Sequence, residues 1–487
     1  MRLLYLDIDT LRPDHLGCYG YHRDTSPNID RIAAQGVRYE NCYVSDAPCL
    51  PSRASMFTGM FGIRNGIVGH GGTAADRRLI GPERSFRTEQ SHQGLISALR
   101  FQCGHYPVTF SPFGERHSAF WWYEGWREIV NTGKGGAERS DEVVPQALDW
   151  LDRNADRDDW VLHVNVWDPH TVYQAPKEFG NPFEDDPIED WYTEELRQKQ
   201  WNDYGPGTPQ EPCGGMGREK GTWRQPPQVR NMDEYKQWID GYDCGVAYAD
   251  MWVGKILDKL EQQGVLEETI VVITADHGET LGELNVIGDH ATADHVVSRV
   301  PMIVKYPGQP GARVDSGLYN QCDIGATLIE LGGGTVPGHW DGRSYAEAFS
   351  AGDDGGRDYV VFSQCAWSCQ RAVRWNNWVY IRTYHTGLKN YPRHMLFDIA
   401  EDPHELNNLA ETRPDLVGHG QTLLDEWWDD EMKRNPSGVD PLWTVMQEGG
   451  PFHTRWGNRE HYLARLRETG RSEAADFLQA NPTGLAD

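Results

Sequence analysis

The sequence predicts an α/β fold: a large mixed, mostly parallel sheet flanked by helices, followed by a smaller C-terminal antiparallel sheet domain. Three observations predict it. Apolar runs of strand length alternate with helical patterns from the N-terminus to about Leu331. Near Asp358 the texture changes to short alternating runs. Of the 487 residues 38% are hydrophobic and 11% aromatic, ample for a core and too apolar for a disordered polymer.

Residues 3–8 read as a buried strand. Ser26-Pro27 opens a helix, Ser as N-cap and Pro in the first turn, with Ile29, Ile32 and Ala33 on its apolar face and Gly36 as its stop. Residues 37–44 form the next strand. A loop carrying Cys49 then leads into a helix over 54–58, closed by Gly59. Residues 160–167 are a strand running into Asp168-Pro169-His170. A long helix covers about 233–263, with Ile239, Tyr242, Val246, Val253, Ile256, Leu257 and Leu260 at core spacing. The strand 269–274 precedes Asp276-His277-Gly278, and the strand 301–306 precedes a helix opening near Asp323. Further on, 371–375 and 378–382 make a hairpin about Asn376-Asn377, and a helix covers about 413–432. The Gly/Asp stretch 352–356 reads as the linker between an α/β catalytic domain, 1–355, and a C-terminal α+β domain with a helical and loop tail, 356–487. Segments 204–228 and 435–452, rich in Pro, Gly and Trp, read as ordered loops capping the site.

There are 46 basic and 73 acidic residues, a net charge of −27, which argues against a nucleic-acid backbone or an anionic membrane as main partner. An anionic substrate then needs a local positive site, such as a metal ion. The nine cysteines, an odd number, do not describe a disulfide-stapled scaffold. No run approaches the roughly 18 apolar residues of a membrane helix. The opening meets Asp7 too early for a signal peptide's apolar region, so the expected compartment is the cytoplasm.

Open α/β sheets carry their sites at the carboxyl ends of the strands. There the sequence places Asp9, Cys49, His170 and Asp276-His277. Alone, such an aspartate is a turn former, a histidine a satisfied core or surface group, and a cysteine a buried hydrophobe. Together they form a metal-and-nucleophile constellation.

Cys49-Leu50-Pro51-Ser52-Arg53 resembles the Cys-X-Pro-Ser-Arg signature of the type I, formylglycine-dependent sulfatases of the alkaline phosphatase superfamily. Asp9-Thr10-Leu11-Arg12 with Gly17-Cys18-Tyr19-Gly20 resembles the family's opening metal segment. Asp168-Pro169-His170, and Asp276-His277-Gly278-Glu279 with Leu281-Gly282-Glu283, resemble its middle blocks. Arg299-Val300-Pro301, Leu396-Phe397-Asp398, Asp402-Pro403-His404-Glu405 and Asn408-Leu409-Ala410 follow in family order. The resemblance implies a hydrolase in which a maturation enzyme oxidises Cys49 to formylglycine, whose hydrated aldehyde attacks sulfur or phosphorus. It also implies one divalent metal ion, bound by Asp9, Asp276, His277 and the modified Cys49. His170 contacts the transferred group, Arg53 steadies the hydrated aldehyde, and His117 takes the diol's proton. His290 stands near where many sulfatases carry a lysine beside the leaving-group oxygen, with an ordinary loop histidine as the competing reading. His70 and Arg116 are further candidates for substrate contact.

Two departures matter. Many sulfatases have two adjacent aspartates where this chain has Asp9-Thr10. Asp7, on the same strand face and roughly 6.6–6.8 Å deeper, either ligates the ion or supports a ligand. Asp276-His277 in place of Asp-Asn adds an imidazole nitrogen, which moves the expected metal from calcium towards manganese or zinc. This pattern also resembles the phosphonate monoester hydrolase and phosphodiesterase branch. The expected substrate is therefore a small anionic sulfate ester or sulfamate, with a phosphodiester or phosphonate monoester as the alternative. Trp121, Trp122 and Trp126 are candidates for a pocket wall, with core as their other reading.

Overall fold

The computed structural model describes residues 1–77, 93–218, 220–435 and 437–485. In chain order the strands are β1 (Arg2–Ile8), β2 (Val37–Tyr43), β3 (Asp46–Ala47), β4 (Tyr106–Phe110), β5 (Glu128–Val130), β6 (Trp160–Val166), β7 (Thr269–Thr274), β8 (Thr280–Leu281), β9 (Ile287–Asp289), β10 (Arg299–Lys305), β11 (Arg313–Asn320), β12 (Tyr359–Gln364), β13 (Cys369–Trp375), β14 (Trp378–His385) and β15 (His394–Asp398). Eight form one sheet in the order β11-β2-β10-β7-β1-β6-β4-β5. Neighbours are parallel except at β10, which is antiparallel to both β7 and β2. This is the mixed, mostly parallel sheet the sequence predicts. β1, β6 and β7 are buried along their whole lengths, as strands covered by helices on both faces must be. β1 lies between β6 and β7, pairing Asp7 with Asn165 and Thr274. That register brings the segments after three strands, carrying Asp9, His170 and Asp276-His277, to one end of the sheet.

The second sheet runs β15-β14-β13-β12-β3. The predicted hairpin is present, with Trp375 opposite Trp378 and Asn376 at φ 46°, a conformation asparagine tolerates well. β3 pairs parallel with β12, Asp46 opposite Ser363 and Ala47 opposite Gln364, so the segment just ahead of Cys49 is stitched to this sheet. The stretch 352–356 is bound along β11: Gly355 donates to the Tyr319 hydroxyl at 2.8 Å and Asp354 accepts from Ser316.

Several local expectations are corrected. The helix predicted over 54–58 is Cys49–Thr58, so Cys49 is its first residue and not part of a loop. Pro51 lies in its first turn, where a missing N–H costs nothing. Gly59 closes this helix at φ 71°. Ser26 precedes the helix Pro27–Ala33 without capping it through its side chain. Its hydroxyl instead joins Gly17 and Asp30, and Asp250 of the long helix Met232–Gln262 accepts the Asn28 and Ile29 amides. Segment 435–452 contains a helix, Pro441–Gln447, capped by Asp440. Trp121, Trp122 and Trp126 are core residues, Trp122 packing edge-on against Phe57 and Phe113 at 4.6 and 4.7 Å. Among the described residues, no helix is long and apolar enough to cross a membrane.

Candidate active site

Four donors from three elements converge at the end of the sheet. Asp9 follows β1, Cys49 opens the helix Cys49–Thr58, and Asp276 and His277 follow β7. One ligand atom from each lies within 4.8 Å of every other, and all four residues are buried. Cys49 Sγ is 3.2 Å from His277 Nε2, which in turn is 3.3 Å from an Asp276 oxygen. His277 Nδ1 lies 2.8 Å from the Gly278 carbonyl. A carbonyl only accepts, so Nδ1 carries the proton and the Nε2 lone pair faces the cluster. Thr10, at φ 56°, turns the chain so that its amide donates to Asp276 at 3.1 Å; strained backbone of this kind collects at functional sites.

Behind the donors stands Arg53. It binds Asp7 through two bonds of 2.7 and 3.0 Å, Asp276 at 2.6 Å and Asp9 at 3.2 Å. Asp7 thus lies outside the four-donor cluster, both oxygens on Arg53 and one also 3.5 Å from His163. Arg53 directs its hydrogen bonds to carboxylates, which makes it the brace of the cluster. Burial alone would raise Asp7, but the Arg53 charge and the His163 and Arg53 hydrogen bonds hold it down, to about 2. Asp276 is raised to about 6, because burial and the neighbouring Asp9 outweigh Arg53.

Facing Cys49 is a ring of imidazoles. His170, His290 and Cys49 offer one atom each within 4.8 Å of one another. His170 stacks on Trp167 at 3.9 Å, and its Nδ1 is tied to the Thr171 carbonyl. His290 lies 4.3 Å from His277 and 5.3 Å from His170, centroid to centroid. His117 and His70 follow, 5.2 Å apart. His170 Nε2, His290 Nδ1, His117 Nε2 and His70 Nε2 are buried with no hydrogen-bond partner among the described residues. Burial lowers each of these rings, His170 to about 3, so they are neutral near pH 7. Arg116 reaches inward, its guanidinium 3.9 Å above the Trp167 ring and 3.8 Å from Asp9. The structure thus brings every predicted site residue to one end of the sheet. It adds two that sequence reasoning missed: His163 beneath Asp7, and His453, whose Nε2 meets His70 Nδ1 at 3.0 Å.

The residues fit a divalent cation. Asp7, Asp9 and Asp276 outnumber Arg53, and even with Arg116 3.8 Å from Asp9 the cluster keeps an excess of buried negative charge, which a divalent ion offsets. One Asp9 oxygen is buried and unpartnered, and the donor set combines carboxylate oxygens with one imidazole nitrogen and position 49.

Comparison with known proteins fixes the family. The sulfatase family model matches residues 2–334, more than half of the chain. The chain belongs to the sulfatase family. It is by that membership a sulfuric ester hydrolase. The model of the N-sulphoglucosamine sulphohydrolase C-terminal region matches residues 292–417. Over 474 residues it is 23% identical to N-acetylglucosamine-6-O-sulfatase of Bacteroides thetaiotaomicron, covering 84% of this chain and 82% of the relative. Human iduronate 2-sulfatase is 25% identical over 381 residues, 68% and 65% of the two chains. Among solved structures, one in complex with its substrate D-glucosamine-2-N,6-O-disulfate aligns at TM-score 0.70 and 18% identity, over 90% of this chain and 99% of that one. The phosphonate monoester hydrolase of Agrobacterium radiobacter aligns at 0.68 and 19%, over 87% and 95%. These likenesses show a shared fold.

Proposed function

We propose that this sulfatase-family protein hydrolyses a sulfate ester to inorganic sulfate, with Cys49 converted to formylglycine and one divalent cation held by Asp9, Asp276, His277 and residue 49. The observation that carries the reading is the burial of Cys49 at a helix N-terminus, inside the four-donor cluster and in the Cys-Leu-Pro-Ser-Arg context. When present, the two groups supply a hydrated aldehyde, whose paired hydroxyls can attack sulfur and then release sulfate, and a Lewis acid that neutralises the ester oxygens.

The chain's own residues do the rest. Arg53 holds three carboxylates in place and keeps Asp7 ionised. The first-turn amides of the helix Cys49–Thr58 favour an anion. His170 and His290 each bring a ring nitrogen to the neighbourhood of residue 49, and the unpaired His170 Nε2 and His290 Nδ1 are free to bond an ester oxygen. An arriving anion raises the pKa of both rings and lets His290 hold the proton that the leaving oxygen takes. In this reading His117, whose Nε2 is buried and unpartnered, takes the diol's proton, and Arg116 adds positive charge beside Asp9.

Phosphodiester or phosphonate monoester hydrolysis is the second reading, favoured by the single Asp9 with Asp276-His277. The deciding measurements are the mass of the tryptic peptide containing Cys49, after co-expression with a formylglycine-generating enzyme, and kcat/KM on paired aryl sulfate and aryl phosphonate esters. An aldehyde with sulfate preferred supports the proposal. An unmodified thiol in active protein removes its nucleophile.

A further inference from the structure

Beyond the imidazoles, the loop of His70 is backed by a segment that neither family match includes. Residues 448–456 lie beyond both matched regions, yet they are clamped onto the loop that carries His70. Glu448 accepts from the Thr73 amide at 3.0 Å and its hydroxyl at 2.5 Å. Arg455 pairs with Glu448 at 3.1 Å. Gly71 lies flat against Phe452, where a Cβ would come within 2.2 Å of the ring. His453 is fixed at three points: its amide donates to Ala366 at 3.1 Å, its ring stacks on Trp367 at 4.5 Å, and its Nε2 meets His70 Nδ1. His70 then turns an unpartnered, buried Nε2 away from that bond and lies 5.2 Å from His117.

Three features of this backing set what it can recognise. Its imidazoles are neutral, His453 being lowered to about 4 by burial. Its two charged side chains, Arg455 and Glu448, neutralise each other. The stacked His453 and Trp367 rings offer an apolar face of the kind that packs against the C–H face of a ring. A buried nitrogen without a partner costs free energy that a hydroxyl recovers, whereas the segment 448–456 offers a second anion no uncommitted cation, Arg455 being paired with Glu448.

We infer that His453, acting through His70, is a specificity-determining positioning residue that selects a leaving group presenting hydroxyls and no second charge, a neutral sugar ring. The assignment rests on the sulfatase reading above. It is tested with the formylglycine-loaded full chain and its His453→Ala and His453→Gln variants, on 4-nitrophenyl sulfate, on monosulfated N-acetylhexosamines and on a 2-sulfated uronic acid. The wild type is expected to prefer a neutral sugar. For that sugar His453→Ala raises KM about tenfold with kcat within about threefold, the scale of one lost neutral hydrogen bond. The loss on the aryl ester is about threefold or less, and His453→Gln, which can still meet His70, restores most of the difference. Equal losses on sugar and aryl esters, or no rescue by Gln, reduce His453 to a structural role and overturn the inference. Hydrolysis of the aryl ester alone, or preference for the uronic acid, overturns it while the sulfatase reading stands. If the wild type cleaves none of the three, that reading falls and takes the inference with it. Should His453→Ala not fold by near-ultraviolet circular dichroism, the same comparison is read from His453→Gln, which must then keep the sugar preference.

Discussion

Replacing Arg53 tests the electrostatics of the site most directly. The side chain is 1% exposed and, among the described residues, is the one lysine or arginine in contact with Asp7 and Asp276; it also touches Asp9. Arg53→Ala leaves three buried carboxylates with Arg116, 3.8 Å from Asp9, as the nearest positive charge. Breaking one buried pair by removing a partner costs about 3–5 kcal/mol, and this guanidinium serves three acids. In metal-free protein at pH 7.5, urea unfolding followed by tryptophan fluorescence should therefore show a loss of at least about 3 kcal/mol. The loss should shrink towards pH 5. Asp276 already titrates at about 6 with Arg53 present, and without it the acids hold protons to still higher pH, so the buried charge is neutralised at modest acidity. A saturating divalent cation should recover part of the loss by supplying the missing charge. Arg53→Lys, which cannot reproduce the two-bond grip on Asp7, should fall between. A destabilisation below about 1 kcal/mol at pH 7.5, in a variant with native near-ultraviolet circular dichroism, would refute the view that Arg53 compensates these carboxylates.

Cys49→Ala should lower turnover by about a thousandfold or more while leaving the melting temperature nearly unchanged, checked by kinetics and calorimetry. Divalent-metal affinity, measured by calorimetric titration, should weaken about tenfold per pH unit below pH 6, because metal and proton compete for Asp276, whose folded pKa is about 6. Glu431 is raised to about 8 by burial and the nearby Asp341, so the fold holds an extra proton between the unfolded value near 4.5 and about 8. Its contribution is complete below 4.5 and lost as pH rises through 8, at up to about 1.4 kcal/mol per unit; Glu431→Gln should flatten that slope in urea titrations. Gly59→Ala should destabilise by about 1–3 kcal/mol in the same titrations, since Gly59 holds φ 71° and a Cβ would sit 1.9 Å from the Trp340 ring.

Much of this was legible in the sequence, for identifiable reasons. β1, β6 and β7 are unbroken apolar runs because helices cover both faces, and their parallel register delivers Asp9, His170 and Asp276-His277 to one end. What escaped were contacts between distant positions. Asp250 caps the helix Pro27–Ala33 from the middle of another helix, so Ser26 looked like the cap. Strand periodicity left Asp7 either a metal donor or the support of one, and only the position of Arg53 shows where its oxygens go. His453 carries no motif, and its place beside His70 depends on how the tail folds back. The inward aim of Arg116 likewise depends on Trp167, half a sheet away in sequence.

The pairing of β3 with β12 has a consequence for the order of events during synthesis. In the finished fold Cys49 has no solvent-accessible surface, and the two residues ahead of Pro48 are hydrogen-bonded to a strand that begins at Tyr359. An enzyme that oxidises this side chain cannot reach it once that strand has docked. At the roughly 5–20 residues per second of ribosomal elongation, the segment around Cys49 exists for roughly 15–60 s before β12 is made. The proposed conversion of Cys49 thus has a deadline set by the chain's own folding, and under that proposal variants that delay closure of the second sheet should leave the ribosome's product more completely converted.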